Sequence, residues 1–192
     1  MSRPSVRTFV LAAVLVLGTV TSAVATTALY VTDAEQAGLS TAVVIARVGP
    51  AEVLPHDRYE TIMTRTTLAI DDVLYGAAPE QVLLHQVGGT LDGRTVYVPG
   101  DAKFEPGERC VLFLRQVEGR WYLTAMEQSK YRLSDHPKFG ALMTRKLGEG
   151  IRTRDARGTL VPYSPSVRSP MKRLATFRSS MAQLQAEQGG MR

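Results

Sequence analysis

The sequence predicts a mainly β protein, a small antiparallel barrel or sandwich with a short N-terminal helix and a C-terminal helical extension. Six short segments rich in β-branched and aromatic residues occur between positions 42 and 126. Turn signals containing glycine or proline separate them, which is typical of all-β domains. Cys110 is the only cysteine, so no intrachain disulfide can form and the fold depends on an ordinary hydrophobic core.

An export signal precedes this domain. Arg3 and Arg7 come before Phe9–Val31, a run without a charge, and Ala23-Val24-Ala25 has the small-x-small pattern of a cleavage site. We therefore predict that residues 1–25 are a signal peptide and that the protein is secreted, periplasmic or held at the cell envelope. The alternative is a retained anchor, because the uncharged run is long enough to span a bilayer. The protein would then contact the membrane through that run.

The first folded elements follow from local patterns. Thr32 and Glu35 fit a capping box, which predicts a short helix that ends near Gly38. The apolar run Ala42–Val48 predicts the first strand. Tyr59–Leu74 is a longer extended candidate in which apolar and threonine residues recur at period two. A strand of this length is expected to bend or to contain a bulge.

Four further segments complete the predicted sheet. They are Val82–Val87, Arg94–Val98, Arg109–Arg115 and Trp121–Met126. The last two are predicted to pair as a hairpin around Glu118-Gly119. Because no polar residue interrupts Cys110–Leu114, we expect this run to be covered on both faces. Six strands fall short of the seven of an immunoglobulin-like sandwich, which favours an OB-like barrel.

Composition divides the rest of the chain into three parts. A β domain is predicted over residues 26–131, a basic connector over 132–168 and an amphipathic helix over 169–188. A short helix is expected across 134–147, followed by an exposed stretch over 150–168. Ser169 suits the N-cap of the last helix and Pro170 its first position. An apolar stripe at helical spacing follows: Met171, Leu174, Phe177, Met181 and Leu184.

The net charge of +5 hides a split along the chain. Residues 26–127 carry 8 Lys/Arg and 14 Asp/Glu, a charge of −6, whereas residues 128–192 carry 13 Lys/Arg and 4 Asp/Glu, a charge of +9. An exported protein does not meet nucleic acid as its natural anion. We therefore expect Lys172, Arg173 and Arg178 to contact an anionic component of the cell surface or a protein partner. The alternative is that the basic tail folds back on its own acidic domain.

No residues combine into a recognisable catalytic or metal site. His56, His85 and His136 are interpreted as ordinary surface or strand histidines, although a zinc site assembled from all three in space stays open. Cys110 is expected to pack as a small apolar residue rather than to act as a reactive thiol. Adjacent residues Asp71-Asp72 point to opposite faces of a strand, so they do not form an acid–base pair. The sequence therefore predicts no catalytic residue, no metal and no cofactor.

Aromatic residues provide one further binding candidate. Trp121 and Tyr122 are neighbours on a predicted strand, so one enters the core and the other faces outward. Two interpretations stand for Tyr97 and Trp121. Either they form an aromatic binding patch of the kind that OB-like barrels present, or they pack in the core.

Several motifs together resemble a widespread type of exported bacterial domain that has no assigned activity. Its members show a V-L-x-G turn, a Gly-Gly loop, an F-x-x-G-E-R-x-x-x-F-L segment and a G-K-[FY] ending. The matching residues are Val73-Leu74-Tyr75-Gly76, Gly88-Gly89, Phe104–Leu114 and Ser129-Lys130-Tyr131. Ser129 replaces the usual glycine of the last motif. The resemblance spans about residues 33–131 and implies a compact β domain, with a weaker likeness to netrin-like barrels that inhibit metalloproteases. Those barrels use disulfides and an N-terminal cysteine, which this chain lacks.

Three functions are compatible with these observations. The first is an exported, non-enzymatic binding or structural module that contacts the cell envelope or a protein partner through its basic tail. The second is an inhibitor or accessory module of an exported hydrolase, acting through the loops 88–93 and 99–107. The third is a hydrolase with an unrecognised site.

Overall fold

β-strands make up about half of the residues that the structure describes. The structure, a computed structural model, describes residues 28–148, 151–155, 157–163 and 171–189. The predicted signal segment lies outside these residues. In chain order the strands are β1 (Ala28–Leu29), β2 (Ala42–Pro55), β3 (Ile62–Gly76), β4 (Gln81–Val87), β5 (Gly89–Leu91), β6 (Arg94–Val96), β7 (Arg109–Val117), β8 (Arg120–Leu123), β9 (Lys130–His136), β10 (Gly140–Thr144), β11 (Ile151–Arg154), β12 (Leu160–Pro162) and β13 (Lys172–Arg173). Helix α1 is Asp33–Leu39 and helix α2 is Leu174–Gly189, so the predicted mainly β class with flanking helices is confirmed.

Helix α1 begins at the predicted capping box. The Glu35 amide donates to Thr32 Oγ1, and the Thr32 amide donates to the Glu35 carboxylate at 2.8 Å. These two bonds satisfy backbone donors that the first helical turn leaves free. The helix ends at Leu39, one residue beyond the predicted Gly38.

Five strands pair in a closed ring. Strands β2, β3 and β4 form an antiparallel meander, β4 pairs in parallel with β8, β8 pairs antiparallel with β7, and β7 returns to β2. Pairing between β2 and β3 shifts register at Val43/Val44, Ile45/Ala46 and Val48/Ala51, which confirms the expected irregularity in the long strand β3. Such bulges bend a strand and let a sheet close on itself.

Strands β2 and β7 separate two hydrophobic cores. The inner core, inside the ring, contains Val44, Leu68, Leu84, Cys110, Leu112, Leu114 and Trp121, among others. The outer core, under helix α2, contains Val43, Ile45, Val111, Phe113, Tyr131, Phe177 and Met181, among others. Because alternate side chains of Cys110–Leu114 enter different cores, this run is buried on both faces, as expected.

The predicted helix across 134–147 is wrong, because strands β9 and β10 occupy this stretch. They form an antiparallel hairpin, and β9 also pairs with β7, so the main sheet continues beyond residue 131. The free edge of β7 offers backbone hydrogen bonds that a local helical pattern cannot reveal. Leu142 and Met143 are buried as strand neighbours rather than as part of a helical stripe.

Residues 151–162 are not a featureless connector. Strand β11 pairs in parallel with β1 and antiparallel with β12, and together they form a separate three-stranded sheet. Strands β5 and β6 form another small hairpin, with Asp92-Gly93 at its tip. The Gly88–Gly93 stretch, which was expected to be a loop, therefore contains a strand.

The C-terminal helix begins later than predicted. Its expected N-cap, Ser169, and Pro170 lie outside the described residues, and Lys172–Arg173 form strand β13 on the edge of β10. Within helix α2, Phe177 and Met181 are buried in the outer core, whereas Met171 precedes the helix and is exposed. Neither described helix has the length and apolar character needed to cross a bilayer.

Candidate functional site

Residues 97–108 form the rim segment, the connection between β6 and β7. Hydrogen bonds fix this segment against the barrel. The Gln86 side chain donates to the carbonyl of Ala102 at 2.8 Å. The Gly107 amide donates to the Val48 carbonyl at 2.7 Å, and the Val48 amide donates to the Glu108 carbonyl at 2.9 Å. These bonds hold the rim segment at both its middle and its end.

A cleft of about 300 Å³ lies between the rim segment and strands β2, β3 and β4. Its lining includes Val48, Thr64, Gln86, Val98 and Phe104. Apolar side chains with a few hydroxyl and amide groups are the usual lining of a small-molecule site, and the volume is at the lower end for such sites. The cleft therefore suits a small ligand or the side chain of a partner.

Tyr97 stands where three clefts meet. Its side chain borders the first cleft, a second of about 350 Å³ and a third of about 580 Å³, and the residue is 70% exposed. A tyrosine combines a large apolar ring with a polar hydroxyl, which makes it effective in contacts at partly wet surfaces. A ligand that enters any of the three clefts would therefore lie next to this residue.

Asp101 lines both the first and the third cleft. Burial raises the pKa of its carboxyl above the ordinary value, and this effect outweighs the opposing hydrogen bonds from the Gln86 side chain and from the Ala102 amide, the latter at 2.8 Å. A carboxyl of this kind can donate to a ligand oxygen when protonated or pair with a ligand cation when ionised.

Charged side chains in the third cleft are partly paired with one another. Burial opposes ionisation of Glu108, but hydrogen bonds from Lys130 at 2.7 Å and Arg132 at 2.9 Å outweigh it, so the net pKa of Glu108 is lowered. The Lys130 ammonium also lies 4.6 Å from the centre of the Phe104 ring. These contacts connect the rim segment to β9 and keep the wall of the cleft in place.

The three cations predicted to bind an external anion contact the protein itself. Lys172 pairs with Asp33, Arg178 pairs with Asp72, and the Arg173 guanidinium lies 4.9 Å from the centre of the Phe139 ring. This arrangement matches the alternative in which the basic tail folds back on its own acidic domain. Asp33 also accepts from the buried Tyr131 hydroxyl at 2.7 Å.

The two aromatic candidates are placed in different environments. Trp121 is only 8% exposed and belongs to the inner core, whereas Tyr97 is exposed on the rim segment. They therefore do not form a joint surface patch. Trp121 takes the core-packing alternative and Tyr97 remains a candidate for binding.

The histidines lie in separate surroundings. His56 accepts from the Arg58 amide at 3.1 Å and lies 3.3 Å from Asp57 within the same loop. His85 and His136 contact the rings of Tyr122 and Phe139. Among the described residues no group of three or more His, Cys, Asp or Glu is arranged to hold a metal ion.

Two other sequence interpretations can be checked against the structure. Burial raises the pKa of the Cys110 thiol to about 12, so it is an unreactive core residue as expected. Asp71 lies 3.6 Å from Arg109 and 3.8 Å from Arg47, whereas Asp72 pairs with Arg178 of helix α2. The two carboxylates thus serve different faces of β3, as predicted.

The motifs that carry the family resemblance occupy structural positions. At Gly76, where φ is +70°, an added Cβ would lie 2.1 Å from the backbone oxygen of Thr41. Ser129 accepts from the Ala125 amide at 2.6 Å and donates to the buried Gln36 at 3.1 Å. With the pairing of Glu108 described above, these contacts give Gly76, Ser129 and Glu108 roles in holding the fold together.

No protein-family model, curated protein or solved structure matches this chain. Function therefore has to be argued from the cleft. Sequence reasoning found Tyr97 but missed Gln86 and Asp101. Gln86 is one of several polar residues in strand β4. Asp101 follows the Pro99-Gly100 turn, which is a common place for a solvated carboxylate. Neither pattern signals that the two residues meet at one cleft.

Proposed function

We propose that this protein is an exported, non-enzymatic binding module that holds its ligand in the cleft beside Tyr97. The observation that carries the proposal is the exposure of one aromatic ring at the junction of three clefts. An exposed ring alone is ordinary on a protein surface, but at this position its apolar face and its hydroxyl are both available to a ligand in the clefts. Export is supported by the basic, apolar and small-residue order of residues 1–25.

The strand pairing supports an OB-like barrel. Three consecutive antiparallel strands are followed by a parallel contact between β4 and β8, and β7 closes the ring on β2. OB-like barrels bind diverse ligands on their strands and connecting loops. Strands β3 and β4, the second and third strands of the ring, line the cleft through Thr64 and Gln86, which supports a binding role for it.

The test uses protein recovered from an exporting host and a set of small aromatic and amine-bearing compounds. We expect two-dimensional NMR to show chemical-shift changes that concentrate at Gly88-Gly89, Tyr97 and Asp101. The variant Tyr97→Ala should lose these changes at unchanged melting temperature. Tyr59→Ala is the matched control, because Tyr59 is 69% exposed on a different loop. Shifts that map elsewhere, or that survive in Tyr97→Ala, would refute the proposal.

An inhibitory module is a second candidate, favoured by the shape of the same rim. The tip and outer strand of the β5–β6 hairpin are exposed, and the hairpin and the rim segment both border the first cleft. Two adjacent exposed loops on a rigid barrel are suited to entering the active site of an enzyme. Inhibition of representative exported proteases and glycosidases, lost on replacing residues 91–94 by a Gly-Ser linker, would support this candidate over small-molecule binding.

A further inference from the structure

The three-stranded sheet β1–β11–β12 exposes a face that combines leucine and arginine side chains. Leu29 lies opposite Arg152, Arg152 lies opposite Pro162, and Arg154 lies opposite Leu160. Because paired residues and residues two apart share one side of a sheet, all five side chains lie on the same face. The sheet therefore has two sides of very different character.

The opposite side of this sheet is anchored to the rest of the protein. Ile151 is buried, and with Ala28 it lines the second cleft beside Tyr97. The rings of Tyr30 and Tyr163 stack with centres 4.4 Å apart, and the buried Arg145 donates to the Tyr30 hydroxyl at 3.1 Å. These contacts make the sheet a fixed platform rather than a loose extension.

The exposed side of this sheet combines apolar and positively charged side chains. Leu29 is 48% and Leu160 is 50% exposed, so both present apolar surface to solvent on this one face. The described residues of 151–163 carry Arg152, Arg154 and Arg157 against one carboxylate, that of Asp155. That carboxylate accepts from the amides of residues 157 and 159 at 2.9 Å, so it is engaged in shaping the turn.

This combination fits the boundary of a lipid bilayer. Leucines can enter the region between headgroups and acyl chains, while arginines bind anionic headgroups. A protein partner would satisfy the leucines equally well, but the excess of arginine favours an anionic surface. In the sequence, β1 starts three residues after Ala25, the predicted cleavage position, so this sheet contains the first described residues that follow the segment predicted to be directed to the membrane.

We propose that the face formed by Leu29, Arg152, Arg154 and Leu160 rests on the anionic surface of a lipid bilayer. It holds the barrel close to the membrane, with the second cleft on the side of the sheet that faces away from the contact. This proposal does not depend on the ligand of the cleft, because none of its four residues is altered in the test of Tyr97. The two ideas can therefore fail separately.

The experiment measures sedimentation with vesicles of phosphatidylcholine alone and of phosphatidylcholine mixed with phosphatidylglycerol. The full chain is recovered from an exporting host, and its N-terminus is read by mass spectrometry. The readout is the change between variants in the ratio of binding to anionic over neutral vesicles, because a retained anchor with Arg3 and Arg7 would contribute the same preference to every variant. Arg152→Gln/Arg154→Gln should lower this ratio about 30-fold, which corresponds to about 2 kcal/mol at 1.4 kcal/mol per factor of ten.

Matched variants make the outcome specific. Arg94→Gln/Arg115→Gln removes the same charge from exposed positions on the barrel and should leave most of the ratio intact. Leu29→Gln/Leu160→Gln should reduce binding to anionic vesicles while the charge is unchanged, and it serves as the second test if the arginine variant does not fold. Equal losses in the two arginine pairs, no preference for anionic vesicles, or unchanged binding of the leucine variant would each overturn the proposal.

Discussion

Replacing Phe177 by alanine tests whether helix α2 is part of the folded body. Phe177 is 4% exposed, and its ring contacts Phe113 edge-on with centres 6.0 Å apart. The centre of the Tyr131 ring lies 6.2 Å from that of Phe177 in the same outer core. Truncation would leave a cavity between β7, β9 and the helix, because main-sheet strands on the far side cannot move to fill it.

The expected loss follows from this burial. Phenylalanine-to-alanine changes in a closed core cost about 3–5 kcal/mol, the sum of lost transfer free energy and the cavity. For a chain of this size, each kcal/mol lowers the melting temperature by about 2–4 °C. The melting temperature of Phe177→Ala should therefore fall by roughly 6–20 °C.

Chemical denaturation and calorimetry provide the measurement. Ser179→Ala is the control, because Ser179 is exposed on the same helix and its side chain bonds only to the carbonyl of Ala175, at 3.3 Å, among the hydrogen bonds of the described residues. We expect the control to change the free energy of unfolding by less than about 0.5 kcal/mol. If Phe177→Ala changes it no more than Ser179→Ala does, helix α2 is not docked and the basic tail is free for external partners.

Three further results are expected. Gly76→Ala should destabilise the fold by about 2–5 kcal/mol, since its Cβ would meet backbone, whereas Gly93→Ala, at φ +78° with open space around it, should cost about 1–2 kcal/mol in thermal melts. Cys110 should resist a disulfide-exchange thiol reagent at pH 8 in the folded protein and react once unfolded in guanidinium, because its pKa is about 12. Glu108→Gln should lower the free energy of unfolding by about 1.5–3 kcal/mol at pH 7. Because the pKa of Glu108 is lowered on folding, its contribution is present above the unfolded pKa and is lost as the pH falls through the folded one, so the variant and the native protein should converge in acid.

Each expectation has an outcome that contradicts it. Equal losses in Gly76→Ala and Gly93→Ala would show that the close approach at Gly76 does not exist. Rapid labelling of the folded protein would place Cys110 at the surface. A stability difference for Glu108→Gln that persists unchanged at pH 3 would mean that the carboxylate pairs with Lys130 and Arg132 contribute nothing.

Local signals predicted the elements whose partners are close in sequence. The capping box at Thr32 fixes the start of α1 through contacts within four residues, and the Glu118-Gly119 turn fixes the hairpin of β7 and β8. The uninterrupted apolar run Cys110–Leu114 predicted burial on both faces of the strand. In the structure its side chains alternate between the inner and the outer core. In each case the chemistry that decides the structure is contained in a short window.

Two stretches that join an edge of the main sheet were mispredicted as helix. The apolar residues of 134–147 permit a helix, but the edge of β7 recruits the stretch as β9 and β10. Lys172 and Arg173 were assigned to a helix, yet pairing with β10 makes them a strand. Backbone hydrogen bonds to an existing sheet edge outweigh intrinsic propensity, and no local pattern reports where that edge is.

By itself the sequence determined the β class, the inert buried cysteine, the export signal as a prediction and the division into acidic and basic parts. Tertiary structure alone decided which cations are engaged, since Lys172 and Arg178 meet Asp33 and Asp72 from more than a hundred residues away. It also decided that Gln86, Tyr97 and Asp101 meet at clefts and that Leu29 lies beside Arg152. A binding surface forms only when the folded backbone brings residues from distant parts of the chain close together. The local sequence around each of those residues does not indicate which others will be its neighbours.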